Sequence, residues 1–146
     1  MQSLVIEGYA SLFGVEDMAR DVVRAGAFAQ SLSRGGGVGM LLSHVGGRTA
    51  GRWTTIREDG RGLFVRGFVS GETAAGRTAL QMIGDGTLDG LSIGFVARDW
   101  SPRVVRGREL KRIELLEISL VSAPMLAGAR FGVPGDAITT RARRAV

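Results

Sequence analysis

Residues 2–13 (Gln-Ser-Leu-Val-Ile-Glu-Gly-Tyr-Ala-Ser-Leu-Phe) are rich in β-formers and give way at Gly14 to a polar loop carrying Glu16, Asp17 and Asp21, which predicts a first strand and its exit. Phe28 and Leu32 stand four apart within 26–32, the spacing of a short helix, before the break at Gly35-Gly36-Gly37. A short buried strand is predicted over 38–42, ending at Ser43-His44. Two further strand-like runs, 49–58 and 63–70, are joined by Asp59-Gly60-Arg61-Gly62 as a β-hairpin. Ala75, Ala79, Leu80, Met82 and Ile83 recur at near-helical spacing over 73–83, with Gly84 beyond the end. In 91–99, Leu91, Ile93 and Phe95 alternate with Ser92, Gly94 and Val96, so a strand would turn Ser92 away from the larger side chains. Residues 101–110 read as a polar, Arg-rich hairpin tip. The last strand, 113–121, is expected to carry Leu116, Ile118 and Leu120 on one face and Leu115, Glu117, Ser119 and Val121 on the other.

The expected fold is therefore mostly β with helices (α+β): short, hairpin-linked strands forming a small closed or nearly closed antiparallel β-barrel surrounded by a few helices. Residues 1–133 are expected to form the folded domain. From Pro134 the sequence is short, polar and basic, so 134–146 is expected to be a flexible tail.

A chain of 146 residues can bury a core without staples. The absence of cysteine excludes disulfides, thiolate nucleophiles and Cys-ligated zinc. With no basic leader at the N-terminus and no apolar stretch near the ~20 residues that cross a bilayer, a cytoplasmic location is expected. A net charge of +5 raises the question of nucleic acid. All 19 basic residues but Lys111 are Arg, however, and they are scattered, with one dense group at Arg141, Arg143 and Arg144. The few aromatics form no paired motif that would stack bases, so no specific nucleic-acid partner is expected.

His44 is the only histidine, so a mechanism that needs an imidazole must use it, although a lone histidine is more often structural. Gly90-Leu91-Ser92-Ile93-Gly94 matches the G-x-S-x-G nucleophile elbow, but the match misleads: elbow hydrolases place their histidine after the serine, and here none follows. What remains is a serine whose two flanking glycines leave it open to approach; a close-packed glycine-rich strand is the plainer alternative. If Ser92 is a nucleophile, His44 must be its base. Glu117, a carboxylate in an otherwise apolar strand, is the best candidate to orient the imidazole, with Glu114, Asp89 and Asp85 as rivals and an arginine ion pair as the plain alternative. One His, no Cys, no calcium-loop spacing and no Walker-type loop leave no metal or cofactor expected.

Several blocks occur in order: Glu7-Gly8-Tyr9-Ala10 with Phe13, Gly26-Ala27-Phe28 with Ser31-Leu32, Leu41-Leu42-Ser43-His44 with Gly51-Arg52, and Glu58-Asp59 with Gly62-Leu63. Gly90-Leu91-Ser92-Ile93-Gly94-Phe95 and Leu116-Glu117-Ile118-Ser119-Leu120-Val121 with Pro124 complete them. From Glu7 to about Phe131 the chain resembles the prohead maturation proteases of tailed phages, which also occur in prophages and gene transfer agents and are similar to herpesvirus assemblin. The resemblance implies an assemblin-like barrel and a serine endopeptidase that cuts scaffold or capsid segments, and itself, inside the procapsid in the host cytoplasm. It implies Ser92 as nucleophile and His44 as base. Glu117 would stand third, where assemblin has a second histidine, and Arg130 is the residue considered for the oxyanion hole. A major capsid protein or its scaffold segment is the implied substrate, and a homodimer the implied assembly. The rival from another class is a catalytically inactive assembly scaffold or chaperone on the same fold; the presence of both Ser92 and His44 weighs against it.

Overall fold

The computed structural model describes residues 2–135. Its elements run β1 (Ser3–Leu12), β2 (Val22–Val23), α1 (Ala29–Arg34), β3 (Gly39–Leu42), β4 (Thr49–Glu58), β5 (Gly62–Ser70), α2 (Ala74–Gly84), β6 (Gly90–Pro102), β7 (Arg108–Val121) and β8 (Phe131–Gly132). The molecule is mostly β with two helices. The hairpin β4–β5 and helix α2 lie where their patterns predict, and Thr73 caps α2 by accepting the Gly76 N–H at 2.9 Å.

Two expectations of local structure need correction. The short helix begins later, at Ala29, because Phe28 is withdrawn into the core as its N-cap. The polar hairpin tip is only 103–107: β6 and β7 run on through Trp100 and Leu110 to 13 and 14 residues, so not all strands are short. The two-residue strands β2 and β8 have no periodicity of their own and exist only through their partners. Tyr9 and Phe64 meet edge to face at 5.7 Å as cross-strand neighbours on β1 and β5.

The sheet order is β2-β7-β3-β4-β5-β1-β8, with β6 on the far side of β7. It is neither purely antiparallel nor a closed ladder. β3 and β2 both lie parallel to β7, and among the described residues the backbone links between β6 and the β8 segment are the bridge Gly90–Arg130 and the hydrogen bonds Leu91 N–H to Ala129 carbonyl and Phe131 N–H to Asp89 carbonyl, each 2.9 Å. Between its contacts with β2 and β3, β7 leaves an edge that the α1 region covers: Ile113 N–H bonds the Ala27 carbonyl and Leu115 N–H bonds Ser31 Oγ, both at 2.9 Å. Ile6, Phe28, Met40, Leu63, Leu91, Ile113, Ile118 and Leu120 lie in the core with almost no exposure.

A β-bulge decides which side of β7 faces that core. Gly94 pairs with Glu117 but Phe95 pairs with Leu115, so Leu116 is an extra residue. Ile113 and Leu115 point inward before it and Ile118 and Leu120 after it, so the parity switches there. The expected face of Leu116, Ile118 and Leu120 is thereby corrected: Leu116 is 46% exposed. Without the switch, Glu117 and Ser119 would follow Leu115 into the core.

Candidate active site

β3 ends in a tight turn, Leu42–Val45, closed by the Val45 N–H to the Leu42 carbonyl at 3.2 Å. Its central residues Ser43 and His44 have φ of 55° and 62°, the sign pattern of a type I′ turn, which favours Asn and Gly. The turn is held against β7 by Ser43 N–H to the Leu120 carbonyl at 2.9 Å and by His44 N–H to Ser119 Oγ at 3.0 Å. It presents the imidazole to Glu117: His44 Nδ1 lies 2.5 Å from Glu117 Oε1. The other carboxylate oxygen, Oε2, accepts the Ser119 hydroxyl at 2.5 Å. The histidine side chain is 41% exposed and the carboxylate 15%, so the pair sits at the surface with its acidic half largely covered.

Ser92 on β6 is the direct cross-strand partner of Ser119, and Gly94 that of Glu117. Directly opposed side chains of an antiparallel pair project from the same face, so Ser92, Ser119 and Glu117 share one. A Cβ at Gly94 would press well inside contact distance on Glu117 Oε1; the second glycine of the G-x-S-x-G match leaves room for the carboxylate. The first, Gly90, packs under Pro124 where a Cβ would lie at 2.8 Å from its ring. Ser92 is 6% exposed and borders a cavity of about 250 Å³ lined by Leu12, Leu91, Ile93, Phe95 and Leu126, with the ion pair Asp21–Arg108 on its wall. Both Asp21 oxygens accept from Arg108, at 3.0 and 2.8 Å, and hold its guanidinium in the charged form; burial pushes the neighbouring Asp17 carboxyl above the usual range.

The structure thus joins His44 to Glu117 and places Ser92 beside them; among the described residues the cluster's hydrogen bonds run through Ser119 and none links Ser92 to His44. The rival carboxylates stand apart. Glu114 pairs with Arg98, Asp89 pairs with Arg130 at 2.6 Å, and Asp85 caps α2. Arg130 also donates from Nε to the Ala127 carbonyl at 3.0 Å. No group of His, Cys, Asp and Glu among the described residues could hold a metal ion. Ser119 was not singled out by sequence; its only signal is a small polar residue two places after Glu117 in an apolar strand.

A family model described as caudovirus prohead serine protease matches residues 1–141. The chain belongs to the caudovirus prohead serine protease family. The prohead protease of Enterobacteria phage HK97 is 34% identical over 124 residues, which are 82% of this chain and 55% of the relative; the chain thus spans about half the length of that family member. Among solved structures, varicella-zoster virus protease matches with a TM-score of 0.60 at 15% identity, covering 94% of this chain and 68% of that one. The KSHV protease in complex with a hexapeptide phosphonate inhibitor matches with a TM-score of 0.60 at 12% identity, covering 96% and 69%. At these identities the likeness is one of fold alone.

Proposed function

We propose that the chain is a serine endopeptidase that cleaves scaffold or capsid-protein segments, and itself, during head maturation, with Ser92 as nucleophile, His44 as general base and Glu117 as the group that orients the imidazole. The observation that carries this reading is the 2.5 Å contact between Glu117 and His44 Nδ1, made on the face of β7 that also opposes Ser92. A carboxylate on Nδ1 fixes the tautomer that leaves the Nε2 lone pair free. Nε2 takes the Ser92 proton as Oγ attacks the scissile carbonyl, and the imidazolium, stabilised by Glu117, returns that proton to the leaving amine. Water then attacks the acyl-enzyme with His44 again as base. The apolar cavity beside Ser92 suits an apolar substrate side chain next to the cut.

The same reading assigns 1–133 to the protease unit, although 136–146 of the expected tail lies outside the described residues. It takes the β6–β8 bridge as the near-closure of an assemblin-like barrel. It places the enzyme as a homodimer inside the procapsid in the host, where confinement raises the local concentration of protease and substrate. Co-expression with its cognate capsid protein, followed by mass measurement of the capsid N-terminus, tests it. Wild type is expected to give a shortened capsid protein, and Ser92→Ala and His44→Ala none while keeping the fold. Full cleavage by folded Ser92→Ala would overturn the mechanism.

A further inference from the structure

We propose that Ser119 is a positioning residue for this chemistry, holding His44 at both its backbone and its ring. The inference rests on the serine protease reading above. Ser119 has no exposed surface, so neither water nor a peptide carbonyl reaches it, and it does not compete with Ser92 as nucleophile. Its single hydroxyl proton goes to Glu117 Oε2 at 2.5 Å, and a lone pair accepts the His44 N–H at 3.0 Å. Because Glu117 Oε1 holds His44 Nδ1, the contacts close a ring: His44 backbone, Ser119 hydroxyl, Glu117 carboxylate, His44 imidazole.

Each contact does something the other two cannot. His44 occupies a left-handed backbone conformation, φ 62°, uncommon for any residue but glycine; the Ser119 oxygen gives the amide at that position its acceptor. Glu117 follows a β-bulge, where the strand is least regular, and the Ser119 proton fixes one carboxylate oxygen so that the other stays aimed at Nδ1. Removing the hydroxyl takes one anchor from the carboxylate and one from the turn together.

The test uses the full chain, a fluorophosphonate probe that labels an activated serine, and cleavage of a peptide spanning a processed capsid site. Wild type is labelled at Ser92 and Ser92→Ala is not. Ser119→Ala is expected to be labelled, and to turn over peptide, roughly 10- to 100-fold more slowly, the loss of one hydrogen bond to a charged group. KM should stay within about twofold, while the melting temperature falls by a few degrees for the buried hydrogen bonds lost. Ser119→Thr, which keeps the hydroxyl, restores most of the rate. In a Glu117→Gln background, adding Ser119→Ala should cost clearly less than it does alone, because one of the two contacts of Ser119 works through Glu117.

Labelling of folded Ser119→Ala at the wild-type rate, or losses that multiply fully in the double variant, would overturn the proposal while leaving the protease reading intact. Wild type that neither takes the probe nor cleaves would overturn both. If Ser119→Ala does not fold, Ser119→Cys, a weak donor of similar shape, carries the same expectation.

Discussion

Ser43 and His44 both hold positive φ without being glycine, at a cost of roughly 1–2 kcal/mol each. The return on that strain is position: the turn brings His44 Nδ1 within 2.5 Å of a carboxylate 73 residues away. Gly94 is the matching concession on the opposite strand, since any side chain there meets Glu117 Oε1. Gly94→Ala and Glu117→Gln should therefore fail in the same way, the first by pushing the carboxylate off the imidazole and the second by removing its charge. For Glu117→Gln the loss of turnover is expected to approach the ~10⁴-fold recorded for the Asp-to-Asn change in trypsin-type enzymes, with little change in melting temperature. Stopped-time peptide cleavage beside calorimetry on both variants checks this. Near-wild-type cleavage by Glu117→Gln would leave a Ser-His dyad.

At the scale of elements, β7 carries the site because of one surplus residue. The strand feeds Ile113 and Leu115 into the core, admits Leu116 as a bulge, and resumes with Ile118 and Leu120 inward, leaving Glu117 and Ser119 on the other face beside the β3 turn. The indole of Trp53 on β4 donates to the Ile118 carbonyl at 3.2 Å and pins this stretch from a strand that does not pair with it. Two apolar residues that look alike in sequence should then behave differently. Leu116→Ser is expected to change stability by no more than about 0.5 kcal/mol, as at ordinary surface positions. Ile118→Ala is expected to lose about 2–5 kcal/mol, as for a fully buried side chain. Urea titration of both variants measures the difference.

For the whole molecule, the question is what holds β6 against the far side of the sheet. The 129–132 segment bonds β6 through Leu91 N–H and the Asp89 carbonyl and also pairs with Glu7 and Gly8 on β1, while Ala129 and Phe131 pack into the core. It is short, yet it bridges β6, which carries Ser92, to β1. A chain ending before Ala129 should lose at least about 2 kcal/mol from the burial of Phe131 alone, and its cleavage activity with it. A chain ending after Gly135 keeps every one of these contacts and should unfold near the wild-type temperature. Equal melting points for the two truncations would remove the segment's structural role.

The sequence alone determined what depends on near neighbours: the β4–β5 hairpin from its glycine-bearing turn, α2 from its near-helical spacing, and the alternation that turns Ser92 away from Leu91 and Ile93. A single histidine and a carboxylate stranded in an apolar strand were legible too, because composition narrows the chemistry before any fold is known. The tertiary structure decided everything that required distant chains to meet. The parallel pairing of β3 with β7 joins residues nearly 80 apart, so no local pattern encodes it. β2 and β8 are too short for any periodicity, and the bulge at Leu116 is visible only when β7 lies against β6. Periodicity reports which face of a strand is apolar, but a bulge changes the face partway along. The roles open to Glu117 and Ser119 follow from that change, and only the partner strand places it.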